Sequence, residues 1–203
     1  MRRWSVCVQM MTLCFLLAAC GGGEETTNIR APYQAMSGCE MEAVVRCDQE
    51  GAEWEAELRC GYVPGEESWV EVVSPEVIAG VRAVFSDTDW RLEYEGDSLN
   101  AGVLSKEDLS PALCLPRLMS ALREGWLLEE DRENWGDTPC LRLALDQTGS
   151  QNGQIVSTLW LREEDGTPLR GEIAVDGENI LTAEFTKFSF YDTISISDDP
   201  PEG

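Results

Sequence analysis

The residue best placed to do chemistry is Cys20, which follows two alanines and precedes three glycines. Arg2 and Arg3 give the chain a positive start, and residues 6–17 form a mostly apolar run. That run is shorter than the ~20 apolar residues that a membrane-spanning helix needs. A positive start, a short apolar run and small residues before a cleavage position are typical of a secretory signal. The sequence therefore predicts export, with a thiol close to the cleavage position.

The four residues Leu17-Ala18-Ala19-Cys20 resemble the lipobox of bacterial lipoproteins. The resemblance implies that residues 1–19 are removed and that the Cys20 thiol is diacylated, which anchors the chain to the outer face of the bacterial cytoplasmic membrane. Several acyl chains hold well, because each buried CH₂ contributes ~0.8 kcal/mol. Residues 20–35 are expected to be this cysteine and a flexible, Gly-, Glu- and Thr-rich tether. The alternative is an ordinary signal peptide with a cysteine there by chance.

The composition excludes several catalytic classes, because the chain contains no histidine. Ser-His-Asp and Cys-His catalysis and the HExxH zinc motif all need one. Beyond Cys20, the mature chain contains Cys39, Cys47, Cys60, Cys114 and Cys140. Their spacing lacks the CxxC pairs of zinc sites. We therefore expect no catalytic residue, no metal and no cofactor.

The charge balance limits the partners of this chain. It carries 15 Lys and Arg against 38 Asp and Glu, and loss of Arg2 and Arg3 with the signal leaves 13 against 38, or −25. Nucleic acid is excluded, because phosphate binding needs a basic surface. An anionic membrane repels such a body within the Debye length of ~8 Å, so the lipid must hold it there. We interpret the acidity itself as a solubility feature.

Alternation of apolar and polar residues predicts a chain made mostly of β-strands. The pattern is strictest at residues 54–62, which pair with residues 41–47 in a predicted antiparallel hairpin. We interpret the acidic stretch 129–137 as a solvated loop. Further strands are predicted at residues 69–73, 77–85, 90–94, 99–104, 141–145, 155–162, 169–175 and 180–190.

The predicted hairpin leaves the state of two cysteines open. In one register Cys39 lies opposite Cys60, and an exported protein can form disulfides, which gives a candidate Cys39–Cys60 bridge. A one-step change of register breaks that pairing. The alternative is two reduced thiols that pack in the core as small apolar side chains.

One helical segment interrupts the strands. Ser105 begins a capping-box pattern, and Ser110-Pro111 offers a second start. Pro116 either kinks the helix or sets its true start, and Gly125 ends it. Its apolar stripe is interpreted as core packing or as the plug or lining of a cavity. The stripe consists of Leu115, Leu118, Met119 and Leu122.

A long antiparallel meander with one helical insertion must cover one face of a curved sheet with that insertion. Over residues 41–191 this arrangement resembles the LolA/LolB and LppX group of bacterial lipid and lipoprotein carriers. It implies an α+β, mostly β fold, in which an open half-barrel of antiparallel strands wraps a central helical lid around an apolar cavity. The domain is expected at residues 36–195, followed by a disordered tail at 196–203. The matching features are the strands at 41–62 and 69–85 and the closing residues Pro168, Glu172-Ile173, Phe185 and Phe188.

The first functional hypothesis is that the half-barrel binds or carries an apolar ligand, such as an acyl chain, at the cell envelope. The helix gates the opening, and apolar burial at ~25 cal/mol per Å² holds the ligand. The same side chains could equally fill an ordinary core. The expected lining residues are Trp54, Leu58, Val70, Val72, Trp90, Leu92, Leu118 and Leu122.

The second hypothesis is a non-enzymatic scaffold or regulatory lipoprotein without a ligand cavity, which presents a surface to another envelope protein. The resemblance implies this role too, because some relatives in spore-forming bacteria regulate envelope or cortex remodelling. A continuous apolar pocket of several hundred Å³, typical of ligand sites, favours the first hypothesis. A packed interior favours the second.

Overall fold

The computed structural model describes residues 28–49, 52–86, 89–103, 111–149 and 153–191. The predicted signal at 1–19, the anchor Cys20, the capping pattern at Ser105 and the tail at 196–203 lie outside these residues. Within the described ranges, none of the helices has the length and apolar character that crossing a bilayer requires.

The described residues form two α-helices, two short 3₁₀ turns and eleven strands. The helices are α1 (Ala31–Ala35) and α2 (Cys114–Glu124), and the 3₁₀ turns are Glu76–Ile78 and Pro111–Leu113. The strands are β1 (Cys39–Gln49), β2 (Ala52–Tyr62), β3 (Ser68–Ser74), β4 (Arg82–Phe85), β5 (Asp89–Tyr94), β6 (Asp97–Val103), β7 (Trp126–Trp135), β8 (Thr138–Asp146), β9 (Ile155–Arg162), β10 (Pro168–Val175) and β11 (Glu178–Phe190).

All eleven strands belong to one antiparallel sheet in the order β6-β5-β4-β3-β2-β1-β11-β10-β9-β8-β7. The first and last strands are neighbours in its middle, so two meanders spread outward from β1 and β11. The sheet does not close, because β6 and β7 form its two opposite edges. The chain between these edges contains α2, which packs against β2, β8, β9 and β10. The predicted α+β, mostly β half-barrel around a central helix is confirmed.

Side-chain alternation determines which face of the sheet is dry. In β1, Met41, Ala43 and Val45 are buried on the face that α2 covers, and the residues between them are not. Asp176 and Gly177 adopt positive φ values of 51° and 85°, the conformation that a two-residue hairpin between β10 and β11 requires. The strict alternation in β2 and the nearly strict alternation in β1 predicted these two strands to within a few residues.

The acidic stretch at 129–137 is not a loop, and this prediction is wrong. Most of it belongs to β7, whose backbone pairs with β8 from Trp126 opposite Asp146 to Trp135 opposite Thr138. Both faces of β7 are exposed. An edge strand with two wet faces shows no apolar alternation, so charge density alone does not distinguish it from a loop.

The strand predicted at 77–85 is also shorter than expected. A 3₁₀ turn occupies Glu76–Ile78, and β4 begins only at Arg82. Gly80 between them has φ +83°, a left-handed conformation that glycine adopts at no steric cost. The apolar composition of this stretch concealed the turn.

The folded domain begins before residue 36, which corrects the predicted extent of the tether at 20–35. Tyr33 in α1 is 1% exposed, and its hydroxyl donates a hydrogen bond to the Gly166 carbonyl at 2.5 Å. Its ring centroid lies 5.1 Å from that of Phe190, and Ile29 packs against the core. Residues 29–35 are therefore part of the domain, because one buried aromatic side chain outweighs a polar composition.

Arg30 ties this N-terminal segment to the end of α2. Its Nε donates to the Leu122 carbonyl at 2.8 Å, and its Nη2 donates to the carbonyls of Gly125 at 2.9 Å and Ala121 at 3.3 Å. The last carbonyls of a helix have no partner within the helix and carry partial negative charge. The guanidinium provides hydrogen-bond donors and a positive charge at these carbonyls, so Arg30 at the start of the domain holds the C-terminal end of α2 in place.

We expect Arg30→Met to lower the free energy of unfolding by about 2 kcal/mol, because a hydrogen bond from a charged group contributes about 1.5–3 kcal/mol. Urea denaturation of the domain measures this change. Arg91→Met is the matched control, since Arg91 pairs only with the partly exposed carboxylates of Glu67 and Glu93 on the other half of the sheet. Equal losses in the two variants would contradict the role of Arg30.

Candidate functional site

α2 covers the part of the concave face that β2, β8, β9 and β10 form. The four residues of its predicted apolar stripe, Leu115, Leu118, Met119 and Leu122, are each at most 1% exposed. Pro116 lies in the first turn, where its missing N–H has no helical acceptor to lose, so it marks the helix start. At the other end, the Gly125 N–H donates to the Ala121 carbonyl at 2.8 Å and the chain becomes extended.

A glycine on the sheet lets α2 approach closely. A Cβ on Gly171 in β10 would lie 2.6 Å from Leu118 Cδ1 and 3.0 Å from Leu118 Cδ2. These distances are shorter than van der Waals contact, so a side chain at this position would force Leu118 to shift. The helix therefore sits directly on the backbone of β10 at this point.

The eight predicted lining residues divide into two groups. Leu58, Val70, Leu118 and Leu122 are buried in the core that the sheet forms with α2. Trp54, Val72 and Trp90 are half-buried and pack against that core, and Leu92 is half-buried on β5. The structure brings the buried four into one core, but none of the eight lines the groove that opens beside α2.

A groove of about 590 Å³ opens beside α2, at one end of the concave face. Its walls are the turn after β2, the end of β4 at Phe85, the outer side of α2 and residues 146–148 after β8. The side chain of Gln147 fixes this last wall, because its Nε2 donates to the Arg117 carbonyl at 3.1 Å and its Oε1 accepts from Ser157 at 2.6 Å. The volume lies within the roughly 300–1,000 Å³ of small-molecule sites.

The lining of this groove is of mixed character. Burial raises the pKa of the Tyr62 phenol, which remains neutral and is hydrogen-bonded to Ser120. The lining offers neither an imidazole nor a thiol, so it can bind a ligand with apolar and polar parts rather than activate a nucleophile. The apolar members are Tyr62, Val63, Pro64, Phe85, Leu113 and Pro116, and the charged ones are Glu66, Arg117, Arg123, Glu124 and Asp146.

The register of the first hairpin corrects the candidate disulfide. Cys39 lies opposite Tyr62 and Cys60 lies opposite Met41, so the two cysteines are offset by two residues along the strands. Both thiols are free. Burial raises the pKa of Cys39 to about 12 and the pKa of Cys60 well above its usual value, which makes them poor nucleophiles. Within the described residues, no group of Cys, Asp and Glu is arranged to hold a metal ion.

A cluster of two tryptophans, two arginines and a glutamate on the outer face of the sheet was not predicted from the sequence. The Trp160 indole donates to the Glu133 carboxylate at 2.9 Å, and the Arg170 guanidinium lies 5.6 Å from the Trp160 ring and 4.7 Å from the Trp135 ring. The Arg142 guanidinium lies 6.0 Å from the centre of the Trp160 ring. Trp135 and Glu133 belong to β7, so this cluster holds the edge strand to β9 and β10. The sequence signal for this cluster was Trp135 beside a run of charged residues. Interpreting that run as a loop concealed the cluster.

No protein-family model and no curated protein sequence matches this chain. Among solved structures, it is similar to LolA-like proteins. A LolA superfamily protein from Nitrosomonas europaea is 13% identical with a TM-score of 0.44, over 81% of this chain and 91% of that one. The lipoprotein LppX from Mycobacterium tuberculosis is 10% identical with a TM-score of 0.42, over 79% and 93%.

A third similar structure is that of the CwlD amidase from Clostridioides difficile in complex with the GerS lipoprotein. A chain of this complex is 11% identical with a TM-score of 0.39, over 94% of this chain and 97% of that one. The group that the sequence resembles is therefore also found among solved structures. At these identities and TM-scores the similarity concerns the overall fold and does not identify a ligand or partner for this chain.

A double-mutant cycle tests whether α2 is seated on β10. We expect Gly171→Ala to destabilise the domain by about 1–3 kcal/mol, because the added methyl group overpacks against Leu118. In a Leu118→Ala background the same change should be nearly neutral, which corresponds to a coupling energy of about 0.5–3 kcal/mol for contacting residues. Urea denaturation of the four chains measures it. Additive effects would contradict the contact.

Thiol titration tests the cysteine assignment. We expect Cys39, Cys47, Cys60, Cys114 and Cys140 to be protected from a thiol reagent in the native domain, because all five are buried and free. After unfolding without reductant, all five should react. If two of them fail to react until a reductant is added, the chain contains a disulfide and the assignment of free thiols is wrong.

Proposed function

We propose that this chain is a lipid-anchored envelope protein that binds another protein, and that it does not carry an apolar ligand beneath its sheet. The observation that carries this proposal is that α2 packs over the part of the concave face formed by β2, β8, β9 and β10. A carrier needs open apolar surface there, yet Leu115, Met119 and Leu122 are fully buried against the strands. The fold remains that of a binding scaffold, with its binding surface elsewhere.

The same proposal makes the chain a binding protein rather than an enzyme. It contains no histidine, and the buried Cys39 and Cys114 have pKa values raised to about 12 by burial. Reactive cysteines depend on a lowered pKa and some exposure, so these two lack both features of a nucleophile.

The anchor positions the domain at the membrane. In the proposal the Cys20 thiol carries the lipid, and the packed domain begins at Ile29. Nine residue steps span at most ~30 Å, so the α1 end of the domain stays close to the bilayer. The net charge of −25 keeps the body off an anionic surface. The partner is therefore another envelope protein within this short reach.

The groove supports a second candidate function, which is binding of a small apolar or amphipathic ligand. Its volume of about 590 Å³ and its apolar residues Tyr62, Phe85 and Leu113 favour this role. Arg117 and Arg123 on the same wall would orient a ligand with an anionic end. This site differs from the predicted one, because it lies at the end of α2 rather than beneath it.

Two readouts on one pair of chains distinguish these functions. The Cys20→Ser chain is released from the membrane in the proposal, so it can be purified without detergent and its bound lipid measured by native mass spectrometry and solvent extraction. We expect no stoichiometric lipid. The anchored chain, with a photo-crosslinking residue at the exposed Val77, Leu99 or Leu128, should form a protein adduct in the cells that make it.

The matched control places the photo-crosslinking residue at Leu143, which is fully buried and should capture nothing. Stoichiometric lipid on the released chain, together with no protein adduct from any exposed position, would contradict the proposed function. It would favour the ligand-binding alternative instead.

A further inference from the structure

The strand β7 extends the sheet beyond the cover of α2. All ten of its residues are exposed, although its neighbour β8 buries Leu141, Leu143 and Leu145 beneath the helix. β8 pairs with one side of β7, and none of the described strands pairs with the other side. An edge strand presents a row of unpaired N–H and C=O groups, and here the row is ten residues long.

β7 also carries large exposed apolar side chains. Trp126 is 76% exposed, and Leu127, Leu128 and Trp135 are exposed to a lesser degree. The first three are consecutive and follow Gly125, at the end of the domain that Arg30 and α1 occupy. Contiguous apolar surface on a monomer marks an interaction site. The charged residues of β7 and its irregularity between Leu127 and Glu129 discourage self-pairing of the edge, but β7 is ten residues long, whereas natural edge strands are often very short.

Charge selects the class of segment that fits this edge. β7 contains Glu129, Glu130, Asp131 and Glu133 against the single basic residue Arg132. Arg142 on β8 pairs with three of these carboxylates on the outer face, at 3.2 Å, 3.2 Å and 3.9 Å. Glu130, opposite Leu143 on the other face, is outside this cluster. The edge as a whole remains negative, and a basic segment complements it.

The same charges disfavour the two other occupants. A second copy of β7 would set acidic side chains opposite acidic side chains, which is destabilising across a strand pair. A bilayer surface would have to accept Trp126 together with Glu124, Glu129 and Glu130, which flank the apolar residues and would lose their hydration. A basic protein segment satisfies the apolar and the acidic residues at once.

We propose that β7 binds an extended Lys- or Arg-rich segment of a protein partner, which adds to the sheet as a twelfth strand beside β7. This inference rests on the proposed function and names the chemistry of the partner. Backbone hydrogen bonds along the edge provide affinity, and alternate side chains provide specificity. The exposed Trp126 ring accepts the aliphatic stem and cationic group of a Lys or Arg of the segment.

The direct test uses an alternating Lys-Val decapeptide as the probe and the Cys20→Ser chain as the receptor. Hydrogen exchange should show new protection of the β7 amides and no change at β6, the opposite edge. The control peptide has the same charge but N-methyl groups on alternate residues, which removes its edge-facing donors. We expect it to bind at least about tenfold more weakly, because strand addition depends on main-chain hydrogen bonds.

Variants of the receptor locate the contact. Glu130→Lys should weaken binding of the Lys-Val peptide by about fivefold or more, since opposed like charges cost affinity. Glu76→Lys is the matched control, because Glu76 is also exposed but follows β3 on the other half of the sheet. It should leave binding unchanged.

Three results would overturn this proposal. The first is equal binding of the N-methylated peptide, or equal losses in the two variants, which would mean non-specific attraction to an acidic body. The second is a dimer of the free chain that protects β7, which makes a second copy the occupant. The third is binding to phosphatidylcholine vesicles that Leu128→Ser abolishes, which makes the bilayer the occupant. Protein adducts from Val77 or Leu99 would leave the proposed function intact in each case.

Discussion

The packing of α2 against the concave face of the sheet is the constraint on which the rest of this structure depends. The two meanders place β6 and β7 at opposite edges, so the chain between them has to travel from one edge to the other. The dry face of the sheet is the surface that needs cover, and α2 supplies it. Gly171 allows α2 to approach β10 closely. Arg30, at the N-terminal end of the domain, donates a hydrogen bond to a carbonyl in the last turn of α2 and so holds that end of the helix.

This arrangement decides where function can lie. A half-barrel with an open concave face can hold a ligand there, but here Leu115, Leu118 and Leu122 of α2 occupy the part of that face over β2 and β8–β10. Exposed apolar surface lies elsewhere, including the groove beside α2 and the strand β7. In the proposed function, the strands that bury the core and the strand that binds a partner are different parts of one sheet.

Sequence patterns predicted the parts of this fold that depend on local alternation. β2 follows a strict period of two, β1 follows it nearly throughout, and α2 follows the helical period up to Gly125, so each was found close to its observed bounds. The register of the first hairpin stayed open in the sequence, because a one-step change moves every pair. The structure pairs Gln49 with Ala52 and sets Cys39 opposite Tyr62.

The candidate site was harder to predict, because an inward-facing apolar residue has the same pattern whether it lines a cavity or packs against a helix. Leu58 and Leu118 were therefore assigned to a cavity that the packed helix fills. β7 was missed for a related reason. A strand with two wet faces has no apolar alternation, and its pairing with β8 appears only in three dimensions.

Native-state hydrogen exchange of the α2 amides tests the central claim most directly. If α2 is part of the packed core, its amides should exchange with an opening free energy within about 1 kcal/mol of that for β1 and β11, because core elements open only in global unfolding. If α2 is instead a lid over a ligand cavity, its amides should open several kcal/mol more easily than the central strands. That result would contradict a filled concave face and the function that follows from it.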